Sequence, residues 1–538
     1  MSPLSAENSP RPVRNWMRAF ALTALLALGV ALAACGSSDS TGSDSSTAAG
    51  DPVTGGTLTF ARSLDAEAGL NPINAPNNGS IFTIQQIFDQ LVEVQGSELV
   101  PGLAKSWTNT PDGLEWTFNL RDAQFSNGDP VTPEDVKFSI DRFADPKINV
   151  NYATLGSSIE KVDVVDDHTV KITLNSTDGA FLDNIAMFAA AIVPEKIVKK
   201  EGDKAFGEAP IGSGPFMVTE YKRGQQTVLE RNPHYWREGE PYLDSVVFKY
   251  VPDANTRTLQ LRSGEADVAD SIPYNQVQSL ESTDGINVEV ADSLKWDSIF
   301  LNTKEAPLDE VEVRQALNYA TPKDQILKTV LFGNGTIANS QIPQTEFWDE
   351  SIDPYPYDIA KAQELMSQSS VPNGFDLELQ IPSGNSVEKQ TAEIIQSEWG
   401  KIGVNVTIVP KDFGTMFSDW LEGKGGEAAT FPDDALSSDT LSDDEIAALM
   451  YDPASGLNSL GTFYDNKKII QLLDDAKGTI NKDDRASDFS EVQQMGLDDP
   501  PAVPLYFTKS IAGYQDDVQN FQTYPIGWWN LREVWLSK

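Results

Sequence analysis

Side chains that could act as nucleophiles, general bases or metal ligands are scarce in this sequence. The 538 residues include one cysteine, Cys35, and two histidines, His168 and His234. A cysteine nucleophile or a zinc site needs several such residues close together, and no Gly-x-Ser-x-Gly motif offers a serine instead. The 80 acidic residues show no spacing that singles out a catalytic pair. We therefore expect no enzyme, no catalytic residue, no cofactor and no metal held by side chains alone.

Cys35 follows a segment with the features of an export signal. Arg11, Arg14 and Arg18 precede residues 19–34, which carry no charge. This apolar run is shorter than the roughly 20 residues that a spanning helix needs. Basic residues, a short apolar run and small residues at a cleavage point are typical of signal peptides.

The sequence Leu-Ala-Ala-Cys at residues 32–35 resembles the lipobox of bacterial lipoproteins. The resemblance implies that residues 1–34 are a signal peptide and that the thiol of Cys35 is acylated. The alternative is a buried or free cysteine beside a transmembrane anchor. An acylated Cys35 would anchor the protein to the cell membrane, facing the periplasm or the cell exterior.

Residues 35–54 are expected to form a flexible tether. They are rich in serine, glycine and aspartate and hold no large apolar residue before Val53, so they cannot bury enough surface to fold. The roughly 500 residues after the signal suffice for two or three domains.

The net charge of −40 narrows the range of partners. A chain this acidic repels phosphates, which argues against nucleic acid. The charge has two readings, solubility in a salty envelope or a preference for cationic ligands.

Strand and helix patterns alternate along the body and predict an α/β fold. Strands are expected over residues 57–61, 116–120, 170–174 and 404–408. Thr132, Pro133 and Asp135 predict a helix start, and residues 321–324 repeat that pattern before a stop at Gly333. Residues 385–400 predict a helix that leads into the strand at Val404.

Five sequence blocks, in a fixed order, resemble the family 5 extracellular solute-binding proteins of ABC importers, the dipeptide, oligopeptide and nickel-binding group. The resemblance covers residues 55–538. The blocks are LAKSW (103–107) with DGLEWTFNLR (112–121) and FSNGDPVTPEDV (125–136); PIGSGPF (210–216) with LERNPHYW (229–236); LRSGEADV (261–268); FLNT (300–303) with VRQALNYA (313–320); and WGKIGVNV (399–406).

The resemblance implies a two-lobed periplasmic-binding-protein fold of type II, with an additional inserted lobe and a ligand cleft between lobes. Lobe I would combine residues 55–85, 211–297 and 505–538, the extra lobe would be 86–210, and lobe III would be 298–504. Closure of the lobes on a bound solute would let the permease distinguish loaded from empty receptor. The implied partners are a small-molecule or peptide ligand, the permease subunits and, through them, the ATPase; the receptor itself would be a monomer.

Asp439 is the first candidate ligand-binding residue. Peptide-binding members of the family hold the peptide amino group with an aspartate in the sequence Trp-x-x-Asp-x-Pro-Asp-Pro, and Asp439, beside Ser438, falls on that position. Here Leu436 stands where tryptophan is common and the Pro-Asp-Pro is lost. A solvated acidic loop and a calcium site with Asp433, Asp434, Asp443 and Asp444 are the alternatives, although the spacing does not fit an EF-hand.

Three further candidates come from their positions in the chain. Trp296 precedes the block at residues 300–303, where the family chain lines the cleft, and could stack on a ligand or belong to the core. Asn385 begins a predicted helix, whose N-terminus favours anionic groups. Arg62 follows the first strand and could pair with a carboxylate.

Three functions fit the sequence. The first is an importer receptor for peptides or a similar amine-bearing solute. The second is a receptor of the same fold for another solute, such as a metal chelate, an oligosaccharide or an opine. The third is a surface chaperone or signalling lipoprotein that uses the cleft on protein segments.

Overall fold

The computed structural model describes residues 51–75, 77–432, 436–455 and 459–537. Residues 50–538 form one compact unit. The signal peptide, Cys35 and most of the tether lie outside the described residues, as do Asp433 and Asp434. None of the helices in the described ranges is long and apolar enough to cross a membrane.

Strands and helices alternate along this unit, which confirms the α/β prediction. The strands are β1 (Thr57–Arg62), β2 (Val92–Gln95), β3 (Glu98–Pro101), β4 (Ala104–Asn109), β5 (Glu115–Leu120), β6 (Ile159–Asp166), β7 (Thr169–Leu174), β8 (Phe216–Lys222), β9 (Gln226–Arg231), β10 (Ser245–Tyr250), β11 (Val268–Asp270), β12 (Ile286–Leu301), β13 (Gly335–Ile337), β14 (Asp376–Pro382), β15 (Asn405–Lys411), β16 (Ala428–Ala429), β17 (Ala502–Gln515), β18 (Val518–Gln519) and β19 (Trp535–Leu536). The α-helices are α1 (Asn78–Ile84), α2 (Pro133–Ala144), α3 (Phe181–Ala186), α4 (Glu195–Glu201), α5 (Asp203–Glu208), α6 (Ala254–Ser263), α7 (Val277–Glu281), α8 (Val311–Tyr319), α9 (Lys323–Thr329), α10 (Ile359–Gln368), α11 (Ser386–Trp399), α12 (Phe413–Leu421), α13 (Asp443–Tyr451), α14 (Lys467–Lys477) and α15 (Lys482–Asp498).

The central sheet is built around the two longest strands, β12 and β17. They pair antiparallel from Ile286 opposite Gln515 to Phe300 opposite Ala502. β11, β1, β10, β9 and β8 continue the sheet from one end of this pair, and we call them the first half. β16, β14 and β15 continue it from the other end and form the second half. The chain therefore connects the halves through β12 and β17.

The inserted sheet, in the order β4-β5-β7-β6, stands apart from the central sheet. Its core residues Phe118 and Val170 belong to the same buried cluster as Phe60 of β1. The second half has separate clusters, one around Leu379 and Trp399 and one around Phe300 and Phe431. The inserted sheet thus packs with the first half.

The local sequence predictions are largely confirmed. The four expected strands are β1, β5, β7 and β15, the last beginning one residue late. α2 begins with a complete capping box, in which Thr132 Oγ1 accepts from Asp135 N and the Asp135 carboxylate accepts from Thr132 N at 3.0 Å. α11 covers the helix expected from Asn385.

The prediction that residues 321–324 repeat this helix start is wrong in its capping chemistry. α9 begins at Lys323 without a side-chain cap. The hydroxyl of Thr321 instead donates to Leu317 O at 2.7 Å and accepts from Trp399 Nε1 at 3.1 Å. Burial of Thr321 against Trp399 therefore outcompetes the local capping pattern. The helix also ends before Gly333, at Thr329.

Replacing the cap residue of α2 should lower stability measurably. We expect Thr132→Ala to reduce the free energy of unfolding by about 1 kcal/mol, because Asp135 N loses its acceptor. Urea unfolding followed by circular dichroism would measure the change. Thr329→Ala, at an exposed residue whose hydroxyl bonds only back to Gln325 O, is the matched control, and equal losses in the two variants would contradict the capping role.

Candidate functional site

A cavity of about 520 Å³ lies where the two halves face each other across the β12–β17 pair. Its size is in the range of small-molecule sites, roughly 300–1,000 Å³. The first half contributes residues near the end of β1, the start of α6 and residues 270–275. The second half contributes Val330, Phe332 and the start of α11. An occupant would therefore contact both halves.

The floor of the cavity carries polar groups that the protein leaves unpaired. Thr508 and Ser510 of β17 line the cavity, and their hydroxyl oxygens have no hydrogen-bond partner within the described ranges. Buried hydroxyls are usually paired, because an unmade hydrogen bond costs free energy. Each of these two buried hydroxyls therefore has hydrogen-bonding capacity that the described residues do not use.

Arg62 lines the cavity as the sequence suggested, but its guanidinium is already engaged. It donates to Thr83 Oγ1 at 2.8 Å and Gly79 O at 3.1 Å. Its carbon Cζ stands 5.0 Å from the ring centroid of Trp529, and its Nε lies 3.9 Å from Asp270. Burial lowers the pKa of Arg62 to about 10, although the charge of Asp270 opposes that shift. These contacts hold the guanidinium in place at the cavity wall.

Asn385 caps α11 at the edge of the cavity. Its side-chain oxygen accepts from Val387 N at 2.9 Å and Glu388 N at 3.2 Å, so the side chain is occupied by its own helix. Gly384, Ser386 and Val387 line the cavity. The positive end of the dipole of α11 is thereby turned toward the ligand space.

Two lysines that the sequence analysis missed line the same cavity. Lys509 is ion-paired with Asp292. The ammonium of Lys295 has no hydrogen-bond or ion-pair partner among the residues described. The two-residue period of β12 could have placed Lys295 on the face opposite buried Leu294 and Trp296, but only the fold shows that this face meets the cavity.

Asp439 and Ser438 stand beside this cavity and are absent from its wall. A bridge pairs Ser437 with Lys295, so the loop that carries Asp439 begins at the cavity edge. The carboxyl of Asp439 neighbours Tyr152 of the segment before β6, whose hydroxyl donates to Ala75 O at 3.2 Å. The backbone nitrogen of Asp439 donates to Glu445 at 3.0 Å. Burial, followed by the charge of Glu445, raises the pKa of Asp439 well above its usual value. Ser438 is fully buried, and its hydroxyl donates to Thr440 O.

Trp296 lies in the core. Its side chain is 1% exposed and belongs to the cluster of Phe300 and Phe507, and it is absent from the cavity wall. Its Nε1 has no hydrogen-bond partner in the described part of the chain. Stacking of Trp296 on a ligand stays a prediction, as do the ligand contacts of Asp439, Ser438, Arg62 and Asn385.

The acidic loop does not form a calcium site among the residues described. The carboxylate of Asp443 accepts from Thr345 Oγ1 and Phe347 N, while Asp444 pairs with Arg485 at 2.6 Å. No group of three or more potential metal ligands occurs within residues 51–75, 77–432, 436–455 and 459–537.

Comparison with known proteins agrees with this geometry. Residues 98–458 match the model of the bacterial extracellular solute-binding proteins, family 5. Heme-binding protein A of Haemophilus influenzae is 31% identical over 95% of this chain and 98% of its own length. The glutathione-binding protein GsiB of Escherichia coli is 29% identical over 79% of this chain and 83% of its own.

A solved structure shows the same architecture. The periplasmic binding protein DppA of Helicobacter pylori, in complex with the peptide STSA, superposes with a TM-score of 0.80 at 27% identity, over 90% of this chain and 99% of DppA. The fold is therefore the two-lobed type II periplasmic-binding-protein fold, as the sequence blocks implied. The chain belongs to the family 5 bacterial extracellular solute-binding proteins, which are substrate-binding receptors of ABC importers and not enzymes.

Proposed function

We propose that this protein is a lipid-anchored receptor that captures a peptide between its lobes and delivers it to an ABC import permease. The observation that carries the proposal is the pairing of opposite charges along one edge of the cleft. The ammonium of Lys295 lies within the cavity and has no partner among the described residues, and the loop that bridges to Lys295 carries the carboxyl of Asp439. A peptide with free ends presents the complementary pair, an ammonium and a carboxylate.

The carboxylate end of such a peptide would lie in the cavity. Lys295 and the N-terminus of α11 supply positive potential there. Of the two acids at the wall, Asp270 lies 3.9 and 3.6 Å from Arg62 and Arg257, and Asp253 accepts from Thr256 at the start of α6. The hydroxyls of Thr508 and Ser510, which have no partner among the described residues, would bond the peptide backbone once a small side-chain movement exposes them. A carboxylate in this setting gains charge-assisted hydrogen bonds, which are stronger than neutral ones.

The amino end would bind at Asp439. Because burial and Glu445 raise its pKa, this carboxyl holds a proton more tightly than a free aspartate does. An incoming ammonium favours the ionised form and lowers that pKa again. Binding at Asp439 would therefore release a proton, and affinity would rise with pH.

Two of the similar proteins are associated with ligands of this kind. DppA was solved with the peptide STSA, and GsiB is named for glutathione, itself a peptide. The lobe boundaries drawn from the sequence resemblance, with lobe III at residues 298–504, remain part of this proposal. The bound peptide would contact both lobes and favour their closed arrangement.

A thermal-shift screen of residues 51–538 tests the ligand class. We expect peptides of two to five residues to raise the melting temperature by mass action, whereas sugars, polyamines and chelated nickel leave it unchanged. Asp439→Asn should weaken peptide binding by roughly 100-fold, since a hydrogen bond to a charged group contributes about 1.5–3 kcal/mol.

Asp474→Asn, at an acid on α14 far along the chain from the loop, is the matched control. An N-acetylated peptide should bind the parent protein as weakly as the free peptide binds Asp439→Asn. Unchanged affinity in Asp439→Asn would refute the amine site; stabilisation only by a non-peptide solute would keep the receptor role and refute the peptide.

Acylation of Cys35 would hold the receptor at the membrane. In a bacterial host, we expect the full chain to incorporate labelled fatty acid and to sediment with membranes. Cys35→Ser should lose the label and move to the soluble exported fraction or remain as uncleaved precursor. Ser37→Ala is the control within the same segment. Membrane sedimentation and labelling of Cys35→Ser at the level of the parent would contradict the lipid anchor.

A further inference from the structure

A second cavity, of about 720 Å³, lies between the inserted sheet and the second half. Leu99, Trp107 and Trp116 line it from the inserted side, and Leu441 and Ile480 line it from the second half. The two cavities have no lining residue in common in the described part of the chain. The second cavity is therefore a separate space. Its volume is larger than that of the cavity between the two halves of the central sheet, which we call the interlobe cavity.

Backbone hydrogen bonds connect residues at the wall of this cavity. Leu294 N donates to Pro525 O at 2.8 Å, and both residues belong to the wall. Gly179 N donates to Lys477 O at 2.9 Å, which joins the inserted side directly to the end of α14. These contacts hold parts of the wall in place relative to one another.

Among the described residues, two acids at the wall, Asp183 and Glu98, have no ion-pair partner. Glu346 is ion-paired with Lys482, and Arg485 is committed to Asp444 at 2.6 Å and to Ala476 O at 2.9 Å. The carboxylate of Asp183, on α3, lines the cavity and has neither a hydrogen bond nor an ion pair among the described residues. Glu98 adds a further acid to the wall. The uncompensated charge in the cavity is therefore negative.

We propose that this cavity is a binding site for an organic ammonium ion with an apolar body. The ammonium would pair with Asp183, and the apolar body would pack against Leu182, Leu441 and Ile480. The indoles of Trp107 and Trp116 suit such a ligand, because aromatic faces attract cations as well as apolar surface. This second site is independent of the peptide proposed for the interlobe cavity.

The titration of Asp183 supports the assignment. Burial raises its pKa to about 7, with smaller contributions from Glu346 and Asp444 in the same direction, while Arg485 and Lys482 oppose the shift. Below that pH the carboxyl is protonated and cannot pair with an ammonium. An organic cation should therefore bind more tightly at pH 8 than at pH 6.

Calorimetric titration of residues 51–538 with 2-phenylethylammonium tests the site. We expect binding at pH 8, weaker binding at pH 6, and roughly 10-fold weaker binding of the neutral isostere 2-phenylethanol. Asp183→Asn and Asp183→Ala should each weaken binding of the ammonium roughly 10-fold. Neither change should lower the melting temperature, because the carboxylate makes no hydrogen bond or ion pair with the described residues. Asp141→Asn, an exposed acid on α2, should leave affinity unchanged.

Lys295→Gln separates this site from the interlobe cavity. If the proposal is right, that change leaves the affinity for 2-phenylethylammonium as it is, whatever it does to peptide binding. Equal affinity for the ammonium and the alcohol, full affinity in both Asp183 variants, or loss of affinity in Lys295→Gln would each overturn the proposal. No binding of the ammonium at pH 8 would overturn it as well.

Discussion

The antiparallel hydrogen bonding between β12 and β17 is the interaction on which the rest of the molecule depends. One end of the pair extends into the first half of the sheet and the other end into the second half. Its register shifts between Asp292 and Trp296, and such bulges bend strands. The interlobe cavity lies over this register shift, with Thr508 and Ser510 on its floor. The same strands thus join the two halves of the sheet and form the floor of the cavity.

The charges at each cavity depend on local arrangement and not on total charge. The chain carries a net charge of −40, yet Lys295, which lines the cavity between the two halves, has no ion-pair partner among the described residues. At the second cavity Lys482 and Arg485 are ion-paired with other acids, whereas Asp183 has no ion-pair partner in the described part of the chain. Where acids crowd without cations, as at Asp439 and Glu445, desolvation raises their pKa values.

Much of the fold could be predicted from the sequence because its signals are local. The capping box at Thr132 and the alternation in β1, β5 and β7 depend on neighbours within a few residues. Five ordered blocks were enough to identify the family. The failure at Thr321 shows the limit of local rules: its hydroxyl is captured by Trp399, 78 residues away.

The site was only partly predictable for the same reason. The sequence offered Arg62 as a candidate because it follows a strand, and Asn385 because it begins the helix α11. Lys295, Lys509, Thr508 and Ser510 carry no motif; they matter because β17 returns to pair with β12 from far along the chain. Trp296 has the aromatic ring that stacking on a ligand requires. It is buried because β17 pairs with β12 and places Phe507 opposite it. No local sequence pattern reveals that pairing.

The late position of β17 in the chain also determines when the central sheet can fold. Ser293 Oγ donates to Thr508 O across 215 residues, and β17 pairs with β11 and β13 as well. Contacts of such sequence separation slow folding, because loop closure must precede them. The central sheet cannot be completed until residues 502–515 are available. A chain threaded from its N-terminus across a membrane would thus remain incompletely folded for most of its passage, which is the state that export through a narrow channel requires.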